Sequence, residues 1–210
     1  MATTFRTATA SLARISIALL TGCLLITAYL TVALNSQVDP VATVVSDYVF
    51  YRHGGVLYVL AVVLLAGGGV AVVAGVASLG VRGSRPRTLL LGLWCSGLLL
   101  CAAFPTNRLS GESSFSGDLH RLAGGTFLTS LPLAGWQLAK ALRSHPGLRP
   151  LAQRVRLLAA AGLVFAAAFG LCQLAPPPLV DFQGLLERLA LGAEVALLLT
   201  TAITIKRVTR

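Results

Sequence analysis

Glu194 is the residue whose type and position could do chemistry most directly. It lies six residues beyond Arg188, inside a stretch from 189 to 205 that is otherwise free of charge. At about 1.5 Å per residue, that places it about 9 Å deeper along a helix. An intramembrane carboxyl is costly, and burial favours its neutral form, which can donate a proton. The alternative is a structural acid paired with Arg121, Arg188 or a hydroxyl group.

Other polar groups flank three loops of the chain. Glu187 precedes Glu194 by seven residues and so shares its helix face. The loop 104–121 delivers more charge, including Arg108, to the start of an apolar helix. We expect the groups to converge, because the three loops close one end of a bundle. The candidate catalytic residues are Glu194 or Asp118 as the acid, with His120, Glu187 and Asp47 as supporting or deprotonating groups. The candidate substrate-binding residues are Tyr48, Tyr51, His53, Phe104, Asn107, Arg121, Phe127 and Arg188.

Two histidines at this end, His53 and His120, raise the question of haem or metal. Haem ligands in bundles usually sit deeper and face each other, and a zinc site needs more ligands. His145 lies toward the opposite end and cannot join them. We therefore predict no metal and no cofactor, with His120 as a hydrogen-bonding or proton-relaying partner of Asp118 or Glu187.

Aromatic side chains gather near the same loops. They are Tyr48, Tyr51, Tyr58, Phe104, Phe127 and Phe182. One interpretation is an interfacial aromatic belt. The other is an apolar cavity whose ring faces stabilise a cation. Trp94 and Trp136 lie toward the other end and are interpreted as packing or belt residues.

The elements that must position these groups follow from composition. The 210 residues are 56% hydrophobic and only 11% charged, whereas soluble domains are about a quarter charged. Charge-free runs long enough to cross a bilayer predict one all-α membrane domain over 1–210, a six-transmembrane-helix bundle. The predicted helices span about 15–36, 55–80, 88–105, 120–141, 156–175 and 184–205. Gly67–Gly69 and Gly75 predict tight packing of the second helix.

Lysine and arginine predict the orientation of the bundle. The two termini and the loops 82–87 and 140–156 carry 13 of the 17 basic residues. The positive-inside rule therefore places both termini in the cytoplasm. The opposite loops hold Asp39, Asp47, Glu112, Asp118, Asp181 and Glu187. The net charge of +10 falls in short clusters between apolar runs, so it indicates topology, and we predict no nucleic-acid partner.

Four short motifs occur in a recognisable order. They are Ser46-Asp47 before the second helix, Phe104-Pro-Thr106 ending the third, Gly117-Asp-Leu-His120 opening the fourth and Glu187-Arg188 opening the sixth. Over nearly the whole chain this pattern resembles the bacterial and archaeal six-helix membrane proteins of domain-of-unknown-function family 998. That resemblance implies a bacterial cytoplasmic membrane. The family tends to have an acid where this chain has Asn107. The layout is similar, more distantly, to Frag1/DRAM-type proteins, and neither resemblance supplies a settled activity.

Three functions compete. The first is a membrane-bound enzyme that uses a carboxylic acid on a lipid-soluble, isoprenoid substrate, for example in proton-initiated terpene cyclisation, which needs an acid and an apolar cavity. The second is a proton-coupled transporter or binding protein for a small solute. The third is a non-catalytic structural or accessory protein. The expected partners are the lipid bilayer and a hydrophobic small molecule, and the oligomeric state stays open.

Overall fold

Six long helices make up the bundle in the computed structural model, which describes residues 2–81, 83–107 and 113–209, with side chains from residue 7 onward. The long helices are α1 (Ala2–Ala33), α2 (Gly54–Ser78), α3 (Arg85–Ala103), α4 (Phe115–Arg143), α5 (Arg149–Gln173) and α6 (Gln183–Val208). Short 3₁₀ helices span Val45–Phe50, Pro146–Leu148 and Leu179–Phe182. The prediction of an all-α, polytopic membrane protein is confirmed.

Five segments are long and apolar enough to cross a membrane. They are Thr7–Ala33, Gly54–Ser78, Arg85–Ala103, Pro146–Gln173 and Leu179–Val208. The remaining long helix, α4, has 29 residues and carries Asp118, His120 and Arg121 in its first two turns. It is therefore long enough to span a bilayer of about 30 Å while being the most polar of the six.

The helices extend past the charges that bounded the predicted spans. α1 starts at Ala2 rather than near residue 15, and α5 starts at Arg149 rather than near 156. Charged residues bound an apolar run in the sequence, whereas capping residues and prolines determine where a helix begins or ends. α4 begins after Ser114, whose Oγ accepts a hydrogen bond from the Gly117 N–H at 3.1 Å, and Pro150 opens α5.

Neighbouring helices in the sequence pack against each other, and α6 returns to contact α1 and α2. The chain thus runs up and down around a closed ring. We call the end with loops 34–53 and 174–182 and residues 104–107 and 113–114 the acidic end, because Asp39, Asp47 and Asp181 lie there. We call the opposite end, with loops 79–84 and 144–148, the basic end.

The glycines of α2 mark close packing. A Cβ on Gly68 would lie 2.8 Å from Leu20 of α1, and a Cβ on Gly75 would lie 3.2 Å from Ile205 of α6. A Cβ on Gly69 would overlap the Trp94 ring of α3. The prediction of tight packing at these glycines is confirmed, since neighbouring side chains occupy the space that a β-carbon would take.

In the half of the bundle nearer the basic end, α4, α5 and α6 pack closely in a similar way. Pro132 of α4 lies 2.9 Å from where a Cβ of Gly162 would stand, and Leu197 of α6 lies 2.6 Å from the corresponding position at Gly135. These contacts close the bundle toward the basic end. The same three helices leave space toward the acidic end, where the candidate site lies.

Candidate functional site

A cavity of about 660 Å³ opens at the acidic end. All six long helices and the three loops of this end contribute to its wall. Its volume lies within the range of about 300 to 1,000 Å³ that is typical of small-molecule sites. The polar groups that matter for chemistry are Asp47, Asn107, His120, Arg121, Glu187 and Arg188. The convergence of the three loops, which the sequence predicted, therefore holds for these six residues.

Asp47 lies in the 3₁₀ helix Val45–Phe50 and lines the cavity. It is only 7% exposed, and within the described part of the chain its carboxyl has no hydrogen bond or ion pair. Burial raises the pKa of Asp47 to about 6, because removal from water disfavours the charged carboxylate. Asp47 therefore exchanges its proton close to neutral pH.

Glu187 lies on α6 and is 8% exposed. Its Oε2 accepts a hydrogen bond from the Val45 N–H at 2.5 Å, which ties α6 to the loop that carries Asp47. Asp47 and Glu187 both line the cavity. Two carboxyl groups thus share one wall of the cavity.

Arg188 holds the same loop from the other side. Its Nη1 donates to the Thr43 carbonyl at 2.7 Å and to the Gly184 carbonyl at 3.0 Å, and its Nη2 donates to the Tyr48 hydroxyl at 2.7 Å. Gly184 is needed at this point, because a β-carbon there would overlap the Thr43 carbonyl. Arg188 is therefore largely engaged in fixing the loop over α6.

His120 is oriented by the end of α3. Its Nδ1 lies 2.7 Å from the Phe104 carbonyl oxygen. A carbonyl can only accept, so Nδ1 carries the proton and the neutral ring keeps Nε2 as an acceptor. His120 lines the cavity and is buried. The predicted pairing with Asp118 or Glu187 is replaced by this backbone contact.

Aromatic faces line the deeper part of the cavity. They belong to Tyr58 of α2, Phe127 of α4 and Phe169 of α5. Leu65, Leu98, Leu128 and Val195 complete this apolar region. The cavity therefore combines a polar mouth at the loops with an apolar interior, an arrangement suited to an amphiphilic molecule.

Glu194 lies at the depth of the cavity's inner end, since its neighbour Val195 lines the wall, but Glu194 itself does not line it. It is 1% exposed, and its Oε2 accepts a hydrogen bond from the Trp94 indole N–H at 3.2 Å. Its Oε1 is buried with no partner in the described part of the chain. Trp94 is a fully buried packing residue. Glu187 and Glu194 both lie on α6, but only Glu187 lines the cavity, while Glu194 is hydrogen-bonded to Trp94 of α3.

Asp118 is placed at the surface. It forms an ion pair with Arg121 at 2.6 Å and accepts a hydrogen bond from the Ser113 hydroxyl at 2.7 Å. The side chains of Asp118 and Arg121 are 59% and 58% exposed, respectively. Arg121 reaches the rim of the cavity, whereas Asp118 stays outside and stabilises the first turn of α4.

Four other predicted residues lie outside the cavity wall. Tyr48 is fully buried, where its hydroxyl donates to Thr31 Oγ1 at 3.1 Å. Tyr51 contacts the Gln37 carbonyl, His53 is exposed at the start of α2, and Phe104 contributes only its carbonyl to His120.

Asn107 does line the cavity, and its Oδ1 accepts from the Ser114 hydroxyl at 2.6 Å. Arg108 and Glu112 lie outside the described residues.

Metal ligation finds no ready site in the described ranges. No three His, Cys, Asp or Glu side chains come together there. His53 and His120 are separated, since His53 is exposed and His120 is buried against Phe104. The absence of a cofactor stays a prediction.

Glycines were the main feature that the sequence interpretation missed. Gly124, Gly125, Gly170 and Gly192 line the cavity, and a Cβ on any of them would meet no heavy atom within 4 Å. The tandem glycines in the polar helix α4 were a visible signal. Gly170 and Gly192 carried none, because a helix glycine looks the same in sequence whether its space is filled or open.

The family model described as Protein of unknown function (DUF998) matches residues 14–204, which is most of the chain. The chain belongs to this family. No curated protein and no solved structure matches it. The more distant similarity to Frag1/DRAM-type proteins thus stays a prediction. Three residues of the family-like motifs, Asp47, His120 and Glu187, lie together at the cavity.

Proposed function

We propose that this chain is a membrane-embedded enzyme that performs acid/base chemistry on a lipid-soluble substrate. The observation that carries the proposal is Asp47, a buried carboxyl that lines the cavity and has no partner in the described ranges. A proton donor works best when its pKa lies near the operating pH, and the pKa of Asp47 is about 6 through burial. Asp47 therefore replaces Glu194 and Asp118 as the proposed acid.

Proton-initiated cyclisation or isomerisation of an isoprenoid is the reaction class that this arrangement supports best. Asp47 donates its proton to an alkene carbon, so that a C–H bond forms from the π electrons and a carbocation remains. The rings of Tyr58, Phe127 and Phe169 can stabilise that charge. In a cyclisation, a second double bond of the chain attacks this cation, so that a C–C bond forms and the positive charge moves to another carbon. His120 Nε2 or ionised Glu187 then removes a proton from a carbon beside the cation and restores a double bond. The product has the mass of the substrate, and proton exchange with water resets the two groups.

Orientation in the membrane belongs to the same proposal. With 13 of the 17 basic residues at the termini and basic-end loops, both termini lie in the cytoplasm of a bacterial cell and the cavity opens toward the outer leaflet. An alkaline phosphatase fusion at the C-terminus should be inactive, since that reporter requires export. An active fusion would show that the C-terminus lies outside the cytoplasm and would contradict the proposed orientation.

The direct test compares lipid extracts of cells that express equal membrane levels of wild type, Asp47→Asn and Glu194→Gln and are fed prenylated precursors. Wild type and Glu194→Gln should yield a product with the precursor's mass. Asp47→Asn should lower its amount at least about 100-fold, the usual contribution of a general acid. Undiminished product from Asp47→Asn would contradict the assignment, and a lack of product in every extract would count against an enzyme.

A structural role is the second candidate, and one observation favours it. Glu187 and Arg188 hold the loop 41–45 through the Val45 N–H and the Thr43 carbonyl. If these contacts serve stability alone, Glu187→Gln should lower the unfolding temperature and leave every metabolite unchanged. A lost product with an unchanged unfolding temperature would favour the enzyme.

A further inference from the structure

The cavity has a polar end and an apolar end, and their separation limits the kind of molecule it can hold. Asp47, Asn107, His120 and Glu187 lie at the loop end. Along α6 the wall continues to Val195, about 12 Å from Glu187 at about 1.5 Å per residue. A ligand that satisfies both ends has a polar head group and an apolar chain.

Open glycines create the room for that chain. Gly124 and Gly125 of α4, Gly170 of α5 and Gly192 of α6 face space in which no heavy atom lies within 4 Å of an added Cβ. In the closed half nearer the basic end, by contrast, Gly162 and Gly135 meet Pro132 and Leu197. Gly125, Gly170 and Gly192 are exposed, so the space is open to the exterior of the bundle, and its apolar lining suits apolar molecules. Three helices thus leave a chain-sized space in a bundle that is otherwise tightly packed.

Charge at the polar end selects the head group. Two carboxyls, those of Asp47 and Glu187, line the same wall. Among the described residues the cations on the cavity wall are Arg121 and Arg188. Arg121 is paired with Asp118, and Arg188 donates through Nη1 and Nη2 to two carbonyls and a hydroxyl, while its buried Nε has no hydrogen-bond partner among the described residues. A phosphate would therefore meet two carboxyl groups, and the cations facing it would be Arg121, which is paired with Asp118, and Arg188, which has a single N–H left over.

We propose that the ligand of this cavity is an uncharged single-chain lipid whose head group is a hydroxyl placed at Asp47 and His120, with its chain against the four open glycines. Phosphorylated lipids with the same chain bind more weakly. The inference rests on the proposed function for the location of the reacting end. It deepens that function by naming the substrate class.

The test measures binding of farnesol and of farnesyl diphosphate to the full chain in nanodiscs, with empty nanodiscs as the blank for partitioning. The two probes share one chain and differ only in the head group. Wild type should bind farnesol saturably and bind the diphosphate at least about tenfold more weakly, because like charges repel at the polar end. The double variant Asp47→Asn/Glu187→Gln should narrow that difference. Equal or tighter binding of the diphosphate by wild type would overturn the proposal, and so would a lack of saturable farnesol binding.

A matched glycine pair tests the placement of the chain. Gly192→Leu fills the cavity and should weaken farnesol binding more than about tenfold, since the chain loses its space. Gly92→Leu is the control, because Gly92 also has no atom within 4 Å but lies on α3 outside this cavity. It should bind as wild type does. If Gly192→Leu also binds farnesol as wild type does, the placement is refuted.

The binding outcome separates this inference from the proposed function. Selective farnesol binding with no product in any lipid extract would remove the enzyme and keep the ligand class. A product formed from a phosphorylated precursor within the cavity would keep the enzyme and remove the ligand class. Each failure is therefore recognisable without the other.

Discussion

Gly69 of α2 faces the Trp94 ring where a side chain would stand, whereas Gly192 of α6 has no heavy atom within 4 Å of an added Cβ. The buried acids of the packed region and of the cavity differ in their surroundings as these two glycines do. Glu194 lies in the packed region and is covered by Trp94, while Asp47 lines the cavity without a described partner. Glycines in this bundle thus have two uses, close packing and open volume, and of these two acids only Asp47, the one beside open volume, lines a cavity.

The largest expected difference between the regions is a pH effect at Asp47. Burial raises the pKa of Asp47 from 3.8 to about 6, so the folded protein keeps a proton that the unfolded chain releases between about pH 4 and 6. Since the folded state binds more protons there, the free energy of unfolding falls as the pH rises, by up to about 3 kcal/mol at about 1.4 kcal/mol per pH unit. Thermal unfolding of wild type and Asp47→Asn from pH 4 to 8 measures it.

Asp181→Asn serves as the control for that series. Asp181 is an exposed carboxyl at the same end and does not line the cavity. The stability difference between wild type and Asp47→Asn should grow from pH 4 to 6 and stay level above it, while Asp181→Asn follows wild type. A difference that does not change with pH would show that Asp47 is not in the buried setting described.

The next effect compares the two classes of glycine directly. Gly69→Ala places a methyl group against the buried Trp94 ring and should lower the free energy of unfolding by about 2 kcal/mol, as overpacking does. Gly192→Ala meets open space and should raise it by up to about 1 kcal/mol, because alanine favours the helix. Unfolding in detergent by denaturant measures both. Similar losses in both variants would erase the distinction between packed and open glycines.

The smallest expected change in stability concerns Glu194, the acid that is hydrogen-bonded to Trp94. Trp94→Phe keeps an aromatic ring but removes the indole N–H that Glu194 Oε2 accepts, which should cost about 1 kcal/mol of unfolding free energy, the usual range for hydrogen bonds in membrane proteins. Trp136→Phe is the control, since Trp136 is 37% exposed. If Trp94→Phe and Trp136→Phe cost the same in denaturant unfolding, Glu194 does not depend on Trp94.

Much of the candidate site followed from loop position alone. Asp47, His120, Glu187, Asn107 and Arg188 all reach the cavity, because residues that flank loops at one end of an up-and-down bundle are brought together by topology. How deeply an acidic side chain is buried, and which residue it pairs with, were less predictable from the sequence. An acid inside a helix can be paired at the surface, as Asp118 is in the first turn of α4, or hydrogen-bonded to a distant tryptophan, as Glu194 is about three turns into α6.

Apolar runs and their lengths, read from the sequence alone, determined the membrane class and the six-helix, all-α architecture, since hydrophobic length is a local property of the chain. The same property could not locate the cavity. That Gly192 faces open volume, and that Trp94 of α3 covers Glu194 while Asp47 stays unpaired among the described residues, depends on how distant helices pack. Only the tertiary structure decided these points, because a side chain's neighbours across a bundle are not encoded by spacing within its own helix.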